Sequence, residues 1–171
     1  MQRQPTLLSS CARAASAAEA RFRISSPEFA SRSSLVIALG ESAAELARRL
    51  ADRSWKGGRF LEFGELIPAG GRGGEPADAV LRAADGTPAL LSAELDSTDV
   101  AVMLATPGTA AVAASAVGDA CAARWIMSVG LVVAAPGEAE DVVAALRPNA
   151  MVLVNLRSSQ DIAEILSALR V

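Results

Sequence analysis

The side chains best placed for chemistry follow two apolar runs of the sequence. Gly40 and Glu41 come after the first run, and Thr106, Gly108 and Thr109 come after a later one. In a parallel sheet, ligands bind outside the carboxyl ends of the strands, where the following helix offers backbone N–H groups to an anion. The second turn is therefore the best phosphate candidate in the chain. An ordinary strand-to-helix turn, with Thr109 as the helix cap, explains the same residues.

Both turns, and a third glycine-rich segment, lack the full pattern of a nucleotide site. A dinucleotide loop needs G-x-G-x-x-G, whereas here Gly40 stands alone and Glu41 puts a carboxylate where phosphate would lie. The segment Gly70-Gly-Arg-Gly-Gly74 could wrap an anion around Arg72, but it lacks the Lys-Ser/Thr of a P-loop. A solvated linker explains this segment equally simply.

Asn155 ends the last apolar run, which places it at the same edge of the predicted sheet. It either contacts a ligand or helps to cap the final helix, for which Ser159 is the predicted N-cap. We therefore predict a ligand site from six residues at the strand ends: Gly40, Glu41, Thr106, Gly108, Thr109 and Asn155.

Four carboxylates are the remaining candidates for acid–base or Mg²⁺ chemistry: Glu62, Glu65, Asp96 and Asp99. Their spacing does not force them to converge. Asp96 and Asp99 precede an apolar run, at the end of the sheet opposite the expected site, and are better explained as turn residues. We assign no catalytic residue and no metal ligand.

The chain contains no histidine, which removes Ser-His-Asp and Cys-His nucleophilic sites and His-ligated zinc. Its two cysteines, Cys11 and Cys121, do not form a C-x-x-C pair, so they predict neither a zinc site nor a thioredoxin-type centre. Cys121 lies in an alanine-rich stretch and is predicted to be a small buried hydrophobic residue. The formal charge of −3 argues against a nucleic-acid partner.

Five apolar segments alternate with helical patterns along the chain. Such an order favours right-handed crossovers in a parallel sheet that carries helices on both faces. The sequence therefore predicts a three-layer, doubly wound α/β domain with a mainly parallel sheet of about five strands. The predicted strands are residues 34–40, 59–63, 99–105, 125–133 and 150–155, and the predicted helices are residues 41–53, 77–84, 88–95, 110–124, 138–147 and one that starts at 159.

Residues 34–171 are predicted to form this single domain, and residues 1–33 an N-terminal arm or helix. The arginine, serine and alanine content of residues 1–33 is also seen in organelle transit peptides. No apolar stretch is long enough to predict a membrane span. With two cysteines that form no C-x-x-C pair, a reducing, cytoplasmic compartment is the default expectation.

The order of elements from residue 99 onwards resembles the nucleotide-binding domain of the tubulin and FtsZ family. Residues 100–105 correspond to the strand before the family's signature loop. Residues 125–133, followed by Pro136, are similar to its next strand and proline-containing turn. Residues 150–155 resemble the strand that ends in a base-proximal Asn, and residues 35–40 its first strand and turn.

In this resemblance, residues 106–112 stand where the family has its glycine-rich phosphate loop, and Gly108 and Thr109 are the two positions retained in kind. The family's acidic hydrolytic loop belongs to a second half of the fold that this sequence does not match. The resemblance thus implies a nucleotide-binding fold that has lost GTP hydrolysis and is reused for subunit contacts.

These observations lead to two alternative functions. The first is a non-catalytic domain that acts through a protein partner or as a homo-oligomer, without a cofactor and without nucleic acid or membrane. The second is a small-molecule or nucleotide-binding domain that uses the turns at Gly40 and Thr106–Thr109. An enzyme based on carboxylates and a metal ranks last.

Overall fold

The computed structural model describes residues 32–69, 77–169 and 171. These residues form a seven-stranded sheet with helices on both faces. The strands are β1 (Ser34–Ala38), β2 (Gly58–Ile67), β3 (Asp78–Arg82), β4 (Pro88–Leu90), β5 (Val100–Ala105), β6 (Met127–Val133) and β7 (Val152–Leu156). The helices are α1 (Glu41–Ala51), α2 (Leu91–Leu95), α3 (Ala111–Ala123), α4 (Glu140–Leu146) and α5 (Gln160–Ala168).

The sheet has the strand order β4-β3-β2-β1-β5-β6-β7. Five strands, in the sheet order β2-β1-β5-β6-β7, pair in parallel. β3 and β4 add an antiparallel hairpin beside β2. Continuous apolar runs such as those of β1 and β5 suit strands that are covered on both faces. Every residue of both strands is buried. The predicted class, a mainly parallel α/β sheet, is confirmed.

Each face of the sheet has its own hydrophobic core. One core packs side chains of α2, α3 and α4 against residues such as Leu35, Ile37 and Met103. The other packs α1 and α5 against Val36, Ala38 and neighbouring side chains. Because successive strand residues point to opposite faces, a single apolar run supplies both cores.

The direction in which the chain winds across the sheet reverses between β1 and β5. From β1 the chain passes through α1 on one face to β2, and from β5 it passes through α3 on the other face to β6. The carboxyl ends of β1 and β5 therefore form a topological switch point, the place where open α/β sheets bind their ligands.

Two predicted elements differ from the structure. Residues 77–84 were expected to be helical, but they contain β3, whose Ala79 and Leu81 are buried while the residues between and beside them are more exposed. In a run this short, the period of two and the period of 3.6 are hard to distinguish, and pairing with β2 decides the matter. The segment predicted as a helix over residues 88–95 is divided between β4 and α2.

The sheet has seven strands instead of about five because β2 continues beyond Phe63 and carries the hairpin. The register with β3 shifts between Phe63 and Glu65, so Gly64 lies in a β-bulge. A Cβ at Gly64 would lie 2.9 Å from the carbonyl oxygen of Val80, which explains the absence of a side chain there.

Two of the predicted segments lie outside the described residues. They are the N-terminal arm, apart from residues 32 and 33, and the glycine-rich segment at residues 70–74. Within the described part of the chain, no helix is both long and apolar enough to cross a bilayer.

Candidate functional site

The structure brings the two predicted turns together at the switch point. β1 and β5 pair in parallel with Ala38 beside Leu104. Directly beyond this pair, the Leu39 N–H donates a 2.9 Å hydrogen bond to the carbonyl oxygen of Leu104. The turn at Gly40 and the turn that begins at Thr106 consequently lie side by side at the carboxyl ends of adjacent strands.

Gly40 forms the entrance to α1. It is the N-cap residue, in an extended conformation and without a side-chain cap for the helix. A Cβ added at Gly40 would meet no atom within 4 Å, so the space above this turn is open. Glu41 follows in the first helical turn and is exposed.

The second turn is closed by its own threonines. The Thr109 N–H donates to the Thr106 carbonyl oxygen at 3.1 Å, and the Thr106 N–H donates to Thr109 Oγ1 at 3.2 Å. Gly108 adopts a left-handed φ of 86°, which favours glycine. Thr109 was predicted to cap α3. That expectation was wrong, because the N-cap is Ala110 and the Thr109 hydroxyl is used within the turn.

The main chain at these two turns has features that favour an anion. The N-termini of α1 and α3 both begin there without side-chain caps, so backbone N–H groups and the positive ends of two helices face the same region. The carboxylate of Glu41 opposes an anion. The predicted residues at the two turns include no lysine, arginine or nucleophile–base pair.

Asn155 lies away from the other five predicted residues. It is an exposed residue of β7, and the register places Ala105, Val132 and Asn155 in one row across β5, β6 and β7. Two strand spacings separate it from β5, which is roughly 10 Å. Ser159, the predicted cap of α5, is the N-cap residue, but its side chain accepts no capping hydrogen bond. Ser158 Oγ instead accepts the Gln160 N–H at 3.2 Å.

The four candidate carboxylates do not form a common site. Asp99 accepts the Ser33 N–H through Oδ2 at 3.0 Å, and Asp96 pairs with Arg124 at 3.4 Å. Both lie at the amino end of β5, as expected for turn residues. Within the described ranges, no three acidic or cysteine side chains are close enough to hold a metal ion.

Cys121 behaves as the sequence predicts. Its side chain is fully buried in α3, where desolvation raises the pKa of the thiol to about 11 despite the charge of Arg124. A thiol with this pKa is protonated at neutral pH and is a poor nucleophile.

Trp125 is the functional candidate that the sequence analysis missed. It follows α3 as the residue after the C-cap, with a left-handed φ of 57°, and it is 96% exposed. Its N–H donates to Ala122 and the Ile126 N–H donates to Cys121, the two bonds of a Schellman motif. Glycine or asparagine usually occupies this position.

The exposed tryptophan belongs to a larger apolar surface at the amino ends of β6 and β7. Trp125 and Met151 line one cavity of about 370 Å³, and Met151 is 75% exposed. Val152, the first residue of β7, is 46% exposed on the other face of the sheet, because it pairs with Val129 of the core beneath α1 and α5. We call Trp125 and Met151 the Trp125 surface.

The continuously apolar residues 125–133 predict a buried strand that includes Trp125, but β6 begins only at Met127. The available signal was a helical pattern that runs directly into a tryptophan, with no glycine or asparagine to end the helix.

Comparison of this chain with protein-family models, with curated proteins and with solved structures gives no match. The chain therefore presents two candidate surfaces that must be judged on their own chemistry. One is the crevice at the carboxyl ends of β1 and β5, and the other is the Trp125 surface at the opposite end of the sheet.

Proposed function

We propose that this chain is a non-catalytic, cytoplasmic α/β domain that acts through protein–protein contact, self-association included, at the Trp125 surface. The observation that carries the proposal is a tryptophan that is both almost fully exposed and held in a left-handed backbone conformation. The free thiol of Cys121 fits a reducing compartment.

The local fold gains nothing from the indole ring. Both hydrogen bonds of the Schellman motif are made by main-chain atoms, so glycine would form them without the cost of a left-handed Cβ, which is on the order of 1–2 kcal/mol. An exposed indole also leaves a large apolar area in water. A residue that is unfavourable on both counts in the isolated chain is explained by a contact made with another molecule.

The surroundings of Trp125 support the same conclusion. Met151, which lines the same cavity, extends the apolar area, and contiguous exposed apolar patches mark interaction sites. Tryptophan and methionine are enriched in the centres of protein interfaces. The chain contains no histidine, so no histidine acid or base is present.

Affinity capture with the full chain as bait tests this function. Trp125→Ser should abolish the capture of its partner, or its own association, because it removes the apolar anchor. Val112→Ser is the matched control, since Val112 is 55% exposed but lies in the first turn of α3, away from the Trp125 surface. If both variants bind as well as the wild type, or if the wild type neither associates nor captures anything, the proposal fails.

A second candidate function is the binding of a small anion or nucleotide in the crevice formed by Gly40, Glu41, Thr106, Gly108 and Thr109. It is favoured by one observation, the meeting of these turns and of two helix N-termini at the switch point.

Thermal unfolding with each nucleotide, with and without Mg²⁺, tests the second candidate. A ligand that binds the folded state raises the melting temperature by mass action. Glu41→Gln should increase such a shift, since it removes the carboxylate that opposes an anion. The second candidate is removed if no nucleotide at millimolar concentration shifts the melting temperature of either protein.

A further inference from the structure

We propose that the partner of the Trp125 surface is a second copy of this chain, joined by antiparallel pairing of the two β7 strands. This inference rests on the proposed function and names its partner. Within the described part of the chain, the two edges of the sheet differ.

The two edge strands are protected to very different degrees. β4, at one edge, has three residues and begins with Pro88, and both features prevent the addition of a further strand. β7, at the other edge, has five residues without a proline or a charge. Edge strands of monomeric proteins are normally blunted by such residues, so an unprotected β7 indicates an edge that pairs.

The main-chain groups of β7 are in position for a partner strand. In a parallel pair, the main-chain groups of alternate residues point to the neighbouring strand. The carbonyl oxygen of Leu156 accepts the Ala134 N–H at 3.1 Å, so Leu156 and Val154 face the β6 side. The N–H and C=O groups of Leu153 and Asn155 therefore face the open edge.

The charge pattern of β7 favours a second copy. Residues 151–156 carry no charge, so two antiparallel copies meet without like-charge repulsion. A two-fold axis at Val154, the middle residue, sets Leu153 opposite the partner's Asn155 and uses both outward-facing residues of each strand. The pair is then isologous, with the same patch used by both subunits.

The same axis explains the exposed residues beside the strand. It sets Met151 opposite the partner's Arg157. Trp125 lines a cavity together with Met151, so its indole comes within reach of that guanidinium for a cation–π contact. Five-residue strands alone bury too little area for a stable dimer, and the Trp125 surface supplies the additional apolar contact.

Sedimentation of the full chain over a range of concentrations tests the second copy, with two lysine variants as a matched pair. Val152→Lys places a charge on β7, and Leu90→Lys places the same charge at an equally exposed residue, 45% against 46%, on β4. We expect a dimer for the wild type and for Leu90→Lys. Val152→Lys should weaken the dimer by about tenfold or more. A monomeric wild type, or equal weakening by both variants, would overturn the inference.

Cysteine cross-linking tests the strand register. In the Cys11→Ser background, Val154→Cys should form a disulfide-linked dimer on mild oxidation, because a residue that faces itself in a non-hydrogen-bonded pair has Cα atoms about 4.5 Å apart. Val112→Cys, exposed elsewhere, should remain unlinked at the same concentration. A wild-type dimer that Val154→Cys fails to link would refute the β7 pairing.

The outcomes separate this inference from the proposed function. A monomeric chain that still captures another protein through Trp125 would remove the second copy and leave the contact function standing. A chain that neither dimerises nor captures a partner would remove both.

Discussion

At the scale of single residues, Asp78 joins two elements through its carboxylate. It accepts hydrogen bonds from the Ser92 hydroxyl at 2.5 Å, the Ser92 N–H at 3.0 Å and the Ala79 N–H at 2.8 Å. Because α2 has no side-chain cap of its own, Asp78 on β3 caps it from a distance. Burial alone would raise the pKa of Asp78, but these bonds outweigh it and hold the pKa below its ordinary 3.8.

Ser92→Ala should therefore lower the free energy of unfolding by about 1 kcal/mol at neutral pH, since the carboxylate is partly exposed and the bond is screened. A lowered folded-state pKa stabilises the protein above the unfolded-state pKa, and this contribution disappears as the pH falls through the folded value. Urea unfolding at about pH 7 and about pH 3 measures the difference between the two proteins, which should shrink in acid. Ser97→Ala, an exposed hydroxyl in the turn after α2, is the control; an equal loss there would refute the cap.

Trp125 gives the second prediction at this scale. Trp125→Gly should raise the unfolding free energy by about 1 kcal/mol, because glycine relieves the left-handed conformation, and it should also abolish association. Trp125→Ala keeps the Cβ, so it should abolish association without the gain in stability. Denaturant unfolding at low protein concentration, together with sedimentation, measures both effects. A stability loss for Trp125→Gly would contradict the strain argument.

At the scale of elements, Gly118 determines how closely α3 packs against the chain that leads into β7. A Cβ at Gly118 would lie 2.9 Å from the Cα and 2.9 Å from the carbonyl oxygen of Asn149. The main chain at Asn149 therefore lies against α3 at Gly118, in a helix that is otherwise rich in alanine. In an open helical position, replacement of glycine by alanine would be favourable by up to about 1 kcal/mol.

Gly118→Ala should instead destabilise the domain by roughly 1–3 kcal/mol, because the backbone at Asn149 must move. Thermal or urea unfolding shows the sign directly. Ser115→Ala in the same helix provides the control, since there helix propensity dominates and stability should not fall. A more stable Gly118→Ala variant would show that this contact yields easily.

The elements also show where prediction from sequence succeeds. β1 and β5 could be predicted because both faces of each strand are buried, so each appears in the sequence as a continuous apolar run. Such a run can be recognised without knowing the neighbouring strands. β3 could not, because five residues with alternating burial take their conformation from pairing with β2. For the site, the turns at Gly40 and Thr106 were predicted from strand ends, whereas the hydrogen bonds of Thr109 and Ser158 depend on backbone geometry that spacing does not reveal.

At the scale of the whole molecule, both cores share one sheet. Val171 belongs to the core beneath α1 and α5, and its N–H donates to Leu166 at 3.1 Å. Leu35 and Val36 are neighbours in β1 but lie in different cores. Loss of either core would expose one face of the strands on which the other core is built.

A fragment of residues 32–171 should therefore fold alone and unfold in one cooperative transition. Far-UV circular dichroism follows the sheet and helices. Fluorescence of Trp55, whose indole N–H donates to the Leu50 carbonyl oxygen at 2.7 Å, follows the α1 side in a Trp125→Phe background. The two probes should give the same midpoint, and separate transitions would mean that the cores are independent.

The fold class, the central strands and the turns at the switch point follow from the amino-acid sequence alone, because local periodicity and the direction of parallel crossovers specify them. The β3–β4 hairpin, the distant cap at Asp78 and the separation of Asn155 from the other predicted residues depend on how the elements pack in three dimensions. The tertiary structure also revealed Trp125 on the surface, since the exposure of a residue depends on which other elements pack over it.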